Sequence, residues 1–446
     1  MPDELFLAIS LVNFSVLWYT YPMISAGAAP HFNYKENALG MRNFPFVTVT
    51  EKAEKSLRNG HPWVYGEETS AVQGSYQNGD LVDVLSQKGK YLGTGFINDR
   101  SKIRIRLITR NTNDKMDEAF WTRRLQYAIQ YRKTVMGDDF ACCRLIFGEA
   151  DQFPGLTVDR FGPVLVAQVL SLGMESVKHI LFPALLRILR EMGEEIQVIY
   201  ERNEAAIRDL EGMERYQGFV KGEDLLTETD GKVIICENGI QYEVDYINGQ
   251  KTGFFLDQKY NRAAVARLAK GKHVLDCFTH TGAFALNAAA AGAAHVTAVD
   301  VSADAIELAR ANAVRNGLDG TMDFVCADVF DLLTDMAQQG KSPYDFIILD
   351  PPAFTKSRAT IKNAIRGYKE INLKAMKLLP RGGYLATCSC SHFMSNTYFC
   401  QMMHNAAEDA QVSLRQIEGR QQSPDHPILW NVPETDYLKF YLFQVV

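Results

Sequence analysis

Two rhythms of apolar and polar residues divide the chain. Between residues 44 and 110 the apolar positions come in short runs separated by turn residues, predicting strands over 46–50, 81–85, 91–96 and 102–107. In the last of these the period of two places Lys102, Arg104 and Arg106 on one face and Ile103, Ile105 and Leu107 on the other, so a small β domain with one basic face is expected. A longer period follows. Residues 116–134 predict a helix, turn residues bracket a hairpin across 144–162, and 164–170 predicts a strand. An amphipathic helix over 175–192, with Ile180, Leu181, Leu185 and Ile188 on its apolar side, leads to a strand over 197–200. Glu201, Arg202, Asn203 and Arg208, coming just after that strand, read as surface charges rather than as the lining of a cleft.

From residue 232 two strands, 233–236 and 241–245, precede a regular alternation. Strands are predicted at 273–276, 295–300, 322–328, 346–350 and 384–390, with helices between them, one starting after a Ser302 cap and one ending near Leu379. Alternation of this kind predicts an α/β fold with a doubly wound parallel sheet. The expected organisation is an atypical extension over 1–41, a small β domain over 42–112, an α+β domain over 113–230 and the α/β domain over 231–446.

Composition changes this picture at three points. The chain has 446 residues, a formal net charge of -6 and pI near 5.9, which gives no global signal for nucleic acid. Residues 42–110, however, hold eleven Lys/Arg against seven Asp/Glu, a local net of +4, as an RNA-binding domain would. The eight cysteines form no CxxC pair and no zinc-ligand pattern, so reduced thiols of a cytosolic enzyme are expected, with no disulfide and no metal. The apolar run over 5–19, followed by Ala26-Gly-Ala-Ala29, imitates a secretory signal. Asp3 and Glu4 nevertheless precede it, and no Lys or Arg occurs before Lys35. Residues 1–40 are therefore expected to be an upstream extension of a chain starting at Met41, not a membrane anchor.

The candidate chemistry sits where predicted strands end. Asp276 closes the strand at 273–276 and is followed by a turn containing Gly282. Asp300 closes the next strand, where doubly wound folds hold a ribose. Asp350-Pro351-Pro352 sets a carboxylate before two residues that cannot continue a ladder, leaving an opening suited to a flat nucleobase. No GxGxxG is present, which argues against a nicotinamide dinucleotide. Cys388 and Cys390 share one face of the last strand, Cys390 nearer the end where substrates bind.

The order of these pieces resembles a class I S-adenosylmethionine-dependent methyltransferase of Rossmann-like fold, and Gly60-His-Pro-Trp-Val64 with the basic strand resembles a PUA domain, a small RNA-binding β-barrel. Several further motifs match the large-subunit ribosomal RNA cytosine-C5 methyltransferases built from PUA, α+β and Rossmann-like parts: the stretch 248–262, Gly148-Glu-Ala-Asp151, Pro154-Gly-Leu156, Asp159-Arg160, Gly367-Tyr-Lys-Glu-Ile-Asn372 and Ser389-Cys-Ser391. That resemblance implies S-adenosyl-L-methionine as cofactor, held by Asp276, Phe278, Thr281, Gly282, Asp300, Asp328 and Asp350. It implies Cys390 as a nucleophile adding to C6 of cytosine, with Asp350 at the reacting centre. Lys102, Arg104, Arg106, Pro351, Pro352 and Phe354 would meet RNA. Ribosomal RNA is the implied partner, the cytoplasm the implied compartment and a homodimer the candidate assembly. A guanine-N2 methyltransferase, which needs no cysteine, and a non-catalytic ribosome assembly factor remain as alternatives.

Overall fold

Alternating strands in the first part of the chain and buried apolar strands in the last give sheets of different kinds. The computed structural model describes residues 44–446 apart from 341 and 356; the apolar run at 5–19 and the expected start at Met41 lie outside the described residues. The first sheet has six strands in the order Trp63–Tyr65, Ile103–Thr109, Tyr91–Ile97, Leu81–Leu85, Phe46–Val49, Thr69–Gln73. All its pairs are antiparallel except Phe46–Val49 with Leu81–Leu85. Val47, Val49, Val82, Val84, Ile105 and Leu107 fill its core, as the period of two requires.

The opposite face of the basic strand departs from expectation. Arg106 does not face open solvent: its guanidinium reaches Glu211 at 2.9 Å and Glu149 at 3.3 Å and lies over the Trp63 ring, whose Nε1 donates to Glu149 at 3.0 Å. Arg104 is tied to Asp99 at 2.7 Å and to the Tyr76 hydroxyl at 3.0 Å. Of the three, Lys102 is exposed. The uniformly open basic face that periodicity implies is thus not observed: Arg104 is paired, and Arg106 is turned toward the next domain.

That domain is a five-stranded sheet, Tyr216–Phe219, Val198–Asn203, Val164–Val169, Leu156–Phe161, Cys142–Phe147, packed by helices Glu118–Met136 and Leu172–Glu191. A second correction falls here. Glu201, Arg202, Asn203 and Arg208 are buried, not surface charges. Val198–Asn203 is an interior strand, so its polar side chains continue under neighbouring chain: Arg202 Nη1 donates to the Gly249 carbonyl at 2.9 Å and Asn203 Oδ1 accepts from Val169 N at 2.7 Å, while Arg208, in the helix Ile207–Glu211, pairs with Glu175 at 3.0 Å.

After the hairpin Lys232–Glu237 and Ile240–Asp245, a seven-stranded sheet contains β1 (His273–Cys277), β2 (His295–Asp300), β3 (Met322–Cys326), β4 (Phe346–Leu349), β5 (Tyr384–Ser389), β6 (Leu414–Arg420) and β7 (Lys439–Val445). Their spatial order is β3-β2-β1-β4-β5-β7-β6, with β1 to β5 parallel and β7 antiparallel to both neighbours. Val274, Leu275 and all of β4 are inaccessible, as expected of parallel strands covered on both faces, and each such side chain contributes about 1.5–3 kcal/mol of burial. β6 and β7 form an antiparallel extension that periodicity did not foretell. The chain reverses its direction of winding between β1 and β4, the position at which doubly wound sheets open a crevice. Among the described residues no helix is long and apolar enough to cross a membrane.

Candidate active site

The crevice begins where β1 ends. Asp276 is 1% exposed; its Oδ2 accepts from the Thr279 hydroxyl at 2.6 Å and from Ala285 N at 3.0 Å, while Oδ1 has no partner. Burial pushes this carboxyl up to about 7, the Thr279 hydrogen bond opposing the rise and the neighbouring Asp350 charge adding to it. The loop then passes through left-handed backbone at Phe278, His280 and Gly282, with φ of 64°, 51° and 80°. Two of these residues are not glycine, and strain of that kind collects at binding sites. Gly282 is needed for a reason other than ligand approach: a Cβ there would lie 3.0 Å from the Ala309 Cβ, so the close neighbour is the helix Ala303–Arg315. Thr281 is buried with its hydroxyl unpartnered.

Asp300 at the end of β2 fixes the same loop, accepting from His280 N and from Ser302 N at 3.0 Å each. Burial lowers the His280 imidazole to about 4, so the ring edge against Phe255 is neutral. Asp328, after β3, caps the helix Val329–Gln339 through Phe330 N at 2.7 Å and stays exposed. One turn thus carries an unpartnered buried carboxylate oxygen at Asp276 and an unpartnered buried hydroxyl at Thr281, with Asp300 at the end of the next strand and Asp328 after the one that follows.

Across the crevice, Asp350 follows β4 and is half-buried; its Oδ1 accepts from Gln258 Nε2 at 3.0 Å. Burial raises this carboxyl to about 7 as well, with Asp257 reinforcing and Arg262 opposing. Gln258 is itself held by Asn261 at 2.6 Å, and Asn261 by Arg420 at 3.1 Å, so the stretch 248–262 is the floor that aims Asp350. Pro351 is buried and Pro352 exposed. Phe354 is half-buried, its ring 4.5 Å from Tyr368 and 5.8 Å from Phe330. Its packing partners thus lie within the protein, leaving Pro352 as the exposed shoulder of the opening.

The two cysteines separate clearly. Cys388 is inaccessible within β5, opposite Phe440 of β7. Cys390 lies just past the strand, half-buried, with Sγ 4.0 Å from the Pro351 carbonyl. Burial pushes its thiol up to about 11; Asp350 adds to this and Lys251 counters it. Ser391 Oγ donates to the Thr355 carbonyl at 2.9 Å, tying the cysteine loop to the Asp-Pro-Pro loop. Lys439, unforeseen from sequence, is buried beneath this loop and donates to the Ser391 carbonyl at 2.6 Å and to that of Tyr437 at 2.8 Å; burial lowers its ammonium to about 8. A lysine at the head of the apolar run of β7 was the available signal. For Gln258 the signal was weaker, since its partner lies 92 residues away.

The chain is similar to known proteins. The pattern of the S-adenosylmethionine-dependent methyltransferase family matches residues 157–444, and that of a PUA-like domain matches residues 47–110. Ribosomal RNA large subunit methyltransferase I of Cronobacter sakazakii is 40% identical over 405 residues, covering 90% of this chain and 99% of that protein. Its namesake in Pseudoalteromonas translucida is 40% identical over 394 residues, covering 88% and 97%. The solved structure of a SAM-dependent methyltransferase from Streptococcus mutans shares the fold with a TM-score of 0.75 at 23% identity, covering 90% of this chain and all of its own. A second solved methyltransferase, complexed with SAH, has the same TM-score at 22% identity. The chain belongs to the S-adenosylmethionine-dependent methyltransferase family, within the group of the ribosomal RNA large subunit methyltransferase I proteins, and carries a PUA-like domain ahead of its catalytic sheet.

Proposed function

We propose that this protein methylates C5 of a cytosine in large-subunit ribosomal RNA, in the cytoplasm, with Cys390 as the nucleophile. The observation that carries the reading is the contrast between Cys388, which is inaccessible although it lies against Asp350, and Cys390, half-buried just past the strand and also within reach of the Asp350 charge. The names of the relatives supply the substrate class. S-adenosylmethionine, when bound, supplies an electrophilic methyl group, and Asp276, Asp300 and Asp328 are placed to hold it.

Cytosine C5 is a poor nucleophile until a thiolate adds to C6, which loads electron density onto C5. Cys390 forms that S–C6 bond. Its raised thiol must lose a proton first, and Lys251 is the cation that favours the thiolate. Asp350, buried enough to retain a proton near neutrality, donates to the ring nitrogen and draws density away from C6. Pro351 and Pro352 contribute no N–H, which keeps the loop from closing on itself. Lys439 fixes the backbone after the cysteine. A guanine-N2 reading leaves the half-buried Cys390 without work, which favours cytosine.

The test is covalent capture. RNA carrying 5-fluorocytosine at the target should trap the wild-type protein in a denaturant-stable adduct, since fluorine does not leave as a proton, and should release Cys390→Ala. A Cys390→Ala protein that still methylates ribosomal RNA returns the assignment to an exocyclic amine.

A further inference from the structure

β6 and β7 are antiparallel neighbours, yet the chain between them runs from Gln421 to Leu438, far beyond the roughly two to five residues of an ordinary hairpin connection. Long connections persist where they serve a function, and this one is fastened along its length. Asp425 accepts from Arg144 N at 2.8 Å, and its carbonyl accepts from Arg132 at 2.9 Å. Asn431 Nδ2 donates to the Gly60 carbonyl at 2.6 Å, and a Cβ at Gly60 would strike Asn431 at 2.5 Å. Glu434 pairs with His61 at 3.1 Å, and the Thr435 hydroxyl closes the turn onto Leu429 N and the Val432 carbonyl at 2.9 and 2.7 Å.

From the middle of this clamped segment one large side chain points away from the protein. Trp430 is 99% exposed. The other described tryptophans are employed: Trp121 is fully buried, and Trp63 donates to Glu149. An indole left in water beside such tight anchoring is held ready for a partner rather than loosely placed. Its location narrows the partner. The clasp joins the PUA-like domain at Gly60 and His61, and Glu434 also lies within electrostatic reach of His392, two residues after Cys390. Exposed Arg110 donates to the His61 carbonyl at 3.2 Å, putting a guanidinium beside the same clasp. An open aromatic face, on a segment that anchors at Gly60 and His61, where Arg110 is also bonded, and that reaches toward His392, matches unpaired RNA, whose bases stack on such faces without regard to sequence.

We propose that Trp430 is a stacking platform for an unpaired base of the RNA substrate between the PUA-like domain and the Cys390 crevice. This rests on the ribosomal RNA reading above and adds to it the part of the protein that orients the strand. The test uses the full chain and protein-free large-subunit ribosomal RNA. Trp430→Ala should weaken RNA binding about five- to a hundredfold, the range for loss of one stacked aromatic, while Trp430→Phe retains most of the affinity. Because stacking neutralises no phosphate, the salt dependence should keep its slope, and the affinity for S-adenosylmethionine and the unfolding midpoint should match wild type. If the wild type binds and methylates this RNA and Trp430→Ala binds it equally well, the platform is refuted and the substrate reading survives. If the wild type neither binds nor methylates it, both fall. A wild-type dimer that Trp430→Ala converts to a monomer would show the indole covering a second copy of the chain, and would also refute the proposal.

Discussion

The basic strand Ile103–Thr109 and the acids at the ends of β1, β2 and β4 are both rows of charge at the border of a sheet, yet the fold uses them in opposite ways. Arg104 and Arg106 have partners supplied by the protein itself: Asp99 and Tyr76 for one, Glu149 and Glu211 for the other. Asp276 keeps an oxygen without any partner although it is almost inaccessible. Buried polar atoms left unpaired cost about 1–3 kcal/mol each, so a fold retains one where something else completes it. Charge that is fully answered inside the molecule holds the fold together; charge left unanswered in a crevice is where a ligand is to be sought.

The comparison is broken most severely at Arg106. Arg106→Met removes the cation from Glu211, whose side chain is 3% exposed, and leaves its carboxylate with only the Ser101 hydroxyl at 2.5 Å and Asn98 at 3.1 Å. Removing one partner of a buried pair costs roughly 3–5 kcal/mol, and the remaining donors put this case near the lower end. Chemical denaturation should show the loss, and adding Glu211→Gln should recover part of it, since the two sites are in direct contact. A loss below about 1 kcal/mol would return Arg106 to the solvent-facing stripe expected from periodicity.

The same contrast explains what could be read in the sequence. Parallel strands covered on both faces are written as apolar runs, and an acid at the end of such a run, as at Asp276, Asp300 and Asp350, falls at the crevice by topology alone. Partnership is not written locally. Arg106 meets Glu211 across 105 residues, and Gln258 meets Asp350 across 92. β6 went unseen because Leu414–Arg420 is mostly polar and exposed at the sheet edge, with a register shift between Gln416 and Glu418. Charge after a strand is usually at the surface; the packing of Val198–Asn203 between two neighbours puts Arg202 inside, and Arg208, in the helix Ile207–Glu211, is buried against the Glu214 and Val169 carbonyls and Glu175.

A second prediction sharpens the other side. Asp276 must be ionised to accept the cofactor's ammonium, and in the free protein burial holds it at about 7. Lowering the pH from 7 toward 5.5 protonates it, so affinity for S-adenosylmethionine should fall by up to about tenfold per unit, whereas an ordinary carboxylate, which stays ionised throughout this range, would leave the affinity flat. Asp276→Asn should bind weakly and show no such slope in titration calorimetry. A wild-type affinity that is flat between pH 5.5 and 7 would mean that Oδ1 does not meet the ammonium.

The smallest effect is expected at Lys102, and it decides whether any of the basic strand serves RNA. Lys102 is exposed, whereas Arg104 and Arg106 are engaged. If it meets one phosphate, Lys102→Ala should reduce the logarithmic salt slope of ribosomal RNA binding by about 0.7–0.9, with only a modest change in affinity at physiological salt and none in stability. Arg104→Gln, by contrast, removes a cation already neutralised by Asp99 and should leave the slope nearly unchanged. Equal slopes for Lys102→Ala and the wild type would empty the strand of direct contacts and leave RNA capture by the PUA-like domain to surfaces outside it. A reduction at Arg104→Gln matching that of Lys102→Ala would instead mean that RNA pulls the guanidinium from Asp99, and that internal pairing does not remove a charge from binding.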